Sequence, residues 1–251
     1  MCDDRTPANA LIVTRMPPSK RMSPILHNSI AFTLLELLVM IAIISILTAL
    51  LFPFIMSAQA NANAAKCAGN LRQLGVANQL YAGDHNGEIV SLYTNPADSA
   101  TMWPWLLAPY LGIANLPPDA HTKLTSASKA FICPAAPTRF GYGHNYYYLG
   151  WATGSALTSF TVRFVQVARP AETVFLVDCA NVTKSPPIWS PDVRPPILSS
   201  SGLNDHQADF RHPGSRANVL WVDGHVTAEL KVPLMIFNSN NPTKNNLWDL
   251  Q

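Results

Sequence analysis

Residues 32–56 read FTLLELLVMIAIISILTALLFPFIM, a run in which Glu36 is the sole charged residue. Between Leu37 and Phe52 only Ser45 and Thr48 interrupt the apolar side chains, and both can bond back to helix carbonyls. The length is close to the roughly 20 residues that a helix needs to cross a bilayer. A secretory signal has a shorter apolar core, about 7–15 residues, followed by a small-residue cleavage site. Ser57-Ala58-Gln59-Ala60 imitates such a site, but the helical pattern runs straight through it. Residues 32–56 are therefore expected to form a transmembrane helix.

The flanks agree. Upstream, Arg5, Arg15, Lys20 and Arg21 outnumber Asp3 and Asp4, so the whole formal charge of +2 sits in residues 1–31 and the rest is balanced. A basic segment before an apolar helix stays on the cytoplasmic side. A neutral body without a basic stripe argues against nucleic-acid binding, where phosphate neutralisation supplies most of the affinity. Downstream, residues 57–83 are rich in Ala, Asn and Gln, with Cys67, Leu71, Leu74 and Tyr81 spaced for one helical face. Residues 33–82 then read as one helix, about 75 Å long at 1.5 Å per residue. Pro53 should bend it. Gly69 and Gly75 each weaken it by about 1 kcal/mol, a loss that packing of the apolar face has to offset. Gly83-Asp84-His85-Asn86-Gly87 ends it, although Asp84 to Glu88 also faintly resembles a calcium loop.

Residues 84–251 look like an α+β head with more sheet than helix. A short amphipathic helix is expected at Trp103–Leu111. Phe160–Val167 alternates as a half-buried strand whose phase slips near Phe164 and Val165, which a bulge would reconcile. Thr173–Val177 is continuously apolar, as in a central strand. Ala217–Val222 and His225–Leu230 are joined by Asp223-Gly224, which predicts a two-residue type I′ hairpin. Proline-rich stretches at Ser185–Pro196 and Pro233–Pro242 read as loop and tail.

Several stretches carry a family resemblance. Ala31-Phe32-Thr33-Leu34-Leu35-Glu36 followed by the apolar helix resembles the type IV prepilin and pseudopilin leader, with Ala31 where that family has Gly. The resemblance implies that a membrane prepilin peptidase cleaves between Ala31 and Phe32 and methylates the Phe32 amine. Glu36 becomes the fifth residue of the mature chain, where its carboxylate meets the Phe32 amine of a neighbouring subunit during assembly. Pro53 falls at the family's helix-kinking proline. Arg211-His212-Pro213-Gly214, with Asp223-Gly224-His225 further on, is similar to the His, nine residues, Asp-Gly signature of bacterial proteins with prepilin-type leaders, here with ten intervening residues. Phe131-Ile132-Cys133-Pro134 and Gly141-Tyr142-Gly143-His144-Asn145-Tyr146 are similar to internal stretches of those proteins.

Together these features imply a pilin-like organisation: a leader at 1–31, a transmembrane helix at 32–56, its amphipathic continuation at 57–83 and a periplasmic antiparallel-sheet head at 84–251. The implied role is a structural subunit of a type II secretion or type IV pilus-like filament in the bacterial inner membrane, with the prepilin peptidase and other pseudopilin subunits as partners. The rival reading is a membrane-tethered binding module for polysaccharide or protein, to which the aromatic residues around Tyr146-Tyr147-Tyr148 could contribute.

No enzyme, cofactor or metal is expected. The chain has no Gly-rich phosphate loop, Gly-x-Ser-x-Gly or His-Glu-x-x-His. His206, Asp209, His212, Asp223 and His225 cluster in sequence but match no metalloenzyme spacing, and His212 is expected to bond backbone groups. After loss of the leader three cysteines remain, so at most one intramolecular bridge forms. Cys67 and Cys133 are a candidate pair, with the other pairings open, and Cys179 reads as a buried thiol.

Overall fold

The computed structural model describes residues 33–95, 101–113, 129–136, 141–151, 160–181, 190–193 and 206–231. The chain divides into two compact units, residues 1–49 and 50–251. A single helix, α1 (Leu34–Asp84), begins in the first unit and ends in the second. It is long and apolar enough to cross a membrane. From Leu34 to Met56 its large apolar side chains are all exposed, Leu34 by 82% and Phe54 by 72%. Pro53 lies within α1 without terminating it.

The C-terminal half of α1 behaves differently. Cys67, Leu71, Leu74, Asn78 and Tyr81 recur at helical spacing and are buried. Full burial of a Leu contributes about 1.5–3 kcal/mol, so Leu71 and Leu74 alone outweigh the propensity loss at Gly69 and Gly75. The helix stops where Asn86 and Gly87 turn to positive φ (53° and 78°), and the Gly87 N–H donates back to the Ala82 carbonyl at 2.8 Å. Asp84 accepts a hydrogen bond from the Tyr110 hydroxyl at 3.0 Å, so the segment that resembled a calcium loop is a helix-terminating turn.

After a short helix α2 (Trp103–Leu107) the chain forms β1 (Tyr142–His144), a single-turn helix α3 (Tyr146–Leu149), and the small pair β2 (Gly150–Trp151) and β3 (Phe160–Thr161). The main sheet is completed by β4 (Val174–Asn181), β5 (His206–Ala208), β6 (Arg216–Trp221) and β7 (Val226–Leu230). Its order is β1-β4-β6-β7, with β5 paired to the end of β4, and every pairing is antiparallel. As its continuous apolar run predicted, β4 is central. Both faces are covered: Phe175, Leu176 and Leu220 join the cluster that holds Leu71 and Leu74, while Val174, Val177, Cys179, Val219 and Trp221 form a second cluster. The architecture is α+β.

A register irregularity between Val174 and Leu176 shifts β4 against β6. Beyond it the strand alternates regularly. Leu176 lies on the α1 side and Val177 and Cys179 on the other, which puts Asp178 on the side that faces α1.

Three expectations are corrected. Trp103–Leu111 is broken, α2 giving way to a 3-10 turn at Pro109–Leu111 with Gly112 left-handed. The slipping strand at Phe160–Val167 is β3 followed by a 3-10 turn, Phe164–Gln166, which buries Val162 and Val167 and leaves Val165 90% exposed. The hairpin loop, counted between the hydrogen-bonded Trp221 and His225, has three residues, Val222 to Gly224, instead of two. Trp221 N–H donates to His225 O, Gly224 N–H donates to Trp221 O, and Gly224 alone turns to positive φ (96°), which Asp223 does not. That is the three-residue hairpin ending in a left-handed glycine. The type I′ assignment failed because Val222 belongs to the loop. Pro233–Pro242 and most of Ser185–Pro196 lie outside the described residues.

Candidate functional site, a buried quartet of cysteine, aspartate and histidine

Four side chains from four distant segments meet between α1 and the sheet: Cys67, Cys133, Asp178 and His212. All are buried, and one ligand atom from each lies within 4.8 Å of every other.

Local structure delivers each one. Cys67 is on the buried face of α1. Cys133 follows a 3-10 turn, Lys129–Phe131, that Asn70 of α1 holds by donating to the Lys129 and Ile132 carbonyls at 3.0 and 2.7 Å. Asp178 reaches the α1 side because of the β4 irregularity. His212 stands at the base of a tight loop, where it exchanges backbone hydrogen bonds with Arg216 across Gly214 and Ser215, both at positive φ. Two glycines allow the close approach. A Cβ on Gly141 would collide with Cys133, and one on Gly143 would lie 2.7 Å from the Cys179 Cβ.

The Asp178 carboxylate is the hub. It accepts from the Cys67 thiol at 3.3 Å, from the Asn218 N–H at 2.7 Å, and lies 2.9 Å from His212 Nε2. His212 Nε2 is also 3.6 Å from the Cys133 Sγ, while His212 Nδ1 is buried without a hydrogen-bond partner among the described residues. The Tyr142 hydroxyl donates to Cys67 at 3.3 Å. Arg211 brings positive charge to the edge, pairing with Asp209 at 3.0 Å and donating to the Cys179 carbonyl at 2.8 Å.

The electrostatics follow from these contacts. Burial opposes the charged imidazolium of His212, but the hydrogen bonds and charges of Asp178 and Cys133 raise its pKa to about 9. Burial pushes the Cys67 thiol up, whereas Cys133 is drawn down by its hydrogen bond to Cys67 and by His212. Cys133 is thus the more acidic thiol of the pair.

The sequence named two of these groups in another role and missed a third. Cys67 and Cys133 do come together, but as free thiols without a bond between them. Cys67, which its spacing puts on one helical face with Leu71, Leu74 and Tyr81, is fully buried. Asp178 was overlooked, although a lone acid inside Val174–Ala180 is itself a signal, because a buried charge needs partners. Of the five residues weighed for a metal, the structure takes only His212, whose ring faces Asp178 instead of backbone. His206 pairs with Asp192 at 2.8 Å, Asp209 with Arg211, and Asp223 with His225 at 2.6 Å on the exposed hairpin. The signature residues Arg211 and His212 are therefore at the quartet, while Asp223, Gly224 and His225 form the hairpin.

At the start of α1, Thr33 and Glu36 form a reciprocal cap. The Glu36 carboxylate accepts from the Thr33 N–H and hydroxyl, both at 2.9 Å, and the Glu36 N–H donates to the Thr33 hydroxyl at 3.2 Å. Ala31 and Phe32 lie outside the described residues. Compared with known protein families, curated proteins and solved structures, the chain finds no match.

Proposed function

We propose that the chain is a pseudopilin-like structural subunit: a single-pass inner-membrane protein whose Ala31–Phe32 bond is cut by a prepilin peptidase, whose Phe32 amine is methylated, and whose apolar helix joins others in a type II secretion or type IV pilus-like filament. The observation that supports it is the exposed apolar stretch Leu34–Met56 with one carboxylate at its start. That surface is an unsatisfied demand for lipid or for other helices, and a carboxylate there costs a few kcal/mol unless something compensates it. The Thr33 cap supplies hydrogen bonds but no opposite charge. A neighbouring subunit's Phe32 amine would supply it.

The cap makes the test sharper. Gln at the same place keeps the reciprocal hydrogen bonds and removes only the charge. Glu36→Gln should therefore leave helix start, cleavage and membrane level nearly unchanged but abolish cross-linking between cysteines placed pairwise along residues 40–56 in a background lacking native cysteines. Intact mass of the extracted chain should show loss of the residues before Phe32. Cross-linking that survives Glu36→Gln would favour the tethered binding module, and a mature chain starting near Asn61 would mean signal-peptidase cleavage and end the pilin reading.

A further inference from the structure

We propose that Cys67, Cys133, Asp178 and His212 bind a zinc ion that locks α1 onto the sheet, a site independent of how the apolar helix is used.

The donor set comes first. Two soft thiolates, a borderline imidazole and one hard carboxylate make a sulfur- and nitrogen-dominated set, which zinc takes and which calcium and magnesium, hard ions that prefer all-oxygen sites, do not. Geometry agrees. A tetrahedral zinc with metal–ligand distances of about 2.0–2.3 Å sets its donor atoms about 3.3–3.8 Å apart. Here the Cys133 Sγ lies 3.6 Å from His212 Nε2, the Cys67 Sγ 3.3 Å from Asp178 Oδ1, and His212 Nε2 2.9 Å from Asp178 Oδ2. All four ligand atoms lie within 4.8 Å of one another, so drawing them into a zinc tetrahedron needs shifts of at most about 1 Å, within the reach of side-chain rotation.

Charge and surroundings are also suited. Two thiolates and a carboxylate around Zn²⁺ leave one net negative charge, which Arg211, its side chain 9% exposed and also paired with Asp209, offsets in part. Tyr142 donates to Cys67 and the Asn218 N–H to Asp178, so two ligands are already held by outer hydrogen bonds. On binding, the two thiols and the imidazolium release their protons to solvent. His212 Nε2 offers its lone pair and Nδ1 keeps the remaining proton. Four protein ligands and complete burial leave no open position for substrate, which defines a structural site rather than a catalytic one. The competing fate of the same atoms is a Cys67–Cys133 disulfide, or a hydrogen-bonded network without metal.

The test uses the full chain, extracted in detergent and purified without chelator. Elemental mass spectrometry should find equimolar zinc. Replacement by Co²⁺ should give thiolate-to-cobalt charge-transfer absorption and the intense visible bands of tetrahedral cobalt. Cys133→Ser should lose most of the thiolate absorption, and Cys179→Ser, which removes the thiol on the opposite face of β4, should keep all of it. Absence of metal with both thiols free to titrate would overturn the proposal, as would a peptide mass showing Cys67 joined to Cys133. The wild-type stoichiometry and cobalt spectrum decide the matter even if Cys133→Ser fails to fold.

Discussion

Gly141 shows how much of the molecule depends on an absent methyl. Its N–H donates to the Phe131 carbonyl at 3.1 Å and its carbonyl accepts from the Cys179 N–H at 3.0 Å, so it bridges the Cys133 turn and β4. A Cβ there would lie 2.7 Å from the Cys133 backbone nitrogen, a contact that backbone cannot relieve cheaply. Gly141→Ala should therefore destabilise the detergent-solubilised chain by about 1–3 kcal/mol and speed alkylation of Cys133 by a thiol reagent. Gly69→Ala is the natural comparison. Nothing lies within 4 Å of its added Cβ, so it should stabilise α1 by about 0.5–1 kcal/mol. Equal thermal midpoints for the two variants would mean that the Cys133 turn is not held as described.

At the scale of elements, the β6–β7 hairpin rests on Gly224. Its φ of 96° is strained for any L side chain, and an added Cβ would meet Gln79 Nε2 of α1 at 2.9 Å. Gly224→Val should lower stability by more than about 1 kcal/mol through backbone strain, with Gly224→Asn less harmful because Asn tolerates left-handed backbone and the Gln79 side chain can swing away. Urea unfolding that does not distinguish the two from wild type would contradict the turn. Elements of this kind were largely legible beforehand. The 3.6-residue face of Cys67, Leu71, Leu74 and Tyr81, the apolar run of β4 and the Asp-Gly hairpin all follow from local pattern. The errors fell where local pattern is ambiguous. Phe160 to Val167 alternates well enough for a strand, yet Val162 and Val167 are buried, Phe164 is partly buried against the same core and Val165 is left outside. Val222 is apolar enough for β6, yet it serves the turn. The quartet was illegible for a different reason. Cys133 and His212 are 79 residues apart, Cys67 and Asp178 are 111 apart, and no spacing rule links a helix face, a turn, a shifted strand and a loop.

For the molecule as a whole, His144 couples folding to pH. Its ring is completely buried, with Nε2–H donating to the Val90 carbonyl at 2.8 Å and its edge against Phe175. Burial lowers its pKa to about 4, against the partly opposing effects of Val90 and Asp192. The unfolded chain takes up this proton near its ordinary pKa of 6.5 and the folded chain only near 4, so between those values the unfolded state binds more protons and stability falls as pH drops. The loss approaches about 3 kcal/mol by pH 4. Denaturant midpoints measured from pH 7 to 4.5 should decline in wild type, and the decline should be shallower in His144→Gln whatever its stability at pH 7. Parallel slopes would show that His144 is not the group responsible.

The four segments of the quartet also impose an order of events. Synthesis delivers Cys67 first, then Cys133, then Asp178, and His212 last. Until His212 arrives, two thiols and an acid wait in a chain whose β6 and β7 do not yet exist, and loop closures over 79 and 111 residues have to be paid for together. Chains interrupted before residue 212 would expose both thiols to whatever oxidant or scavenging protein surrounds them. The arrangement would thereby work as a completeness check, because a chain that stops short of His212 and β6 lacks the groups that enclose its two thiols.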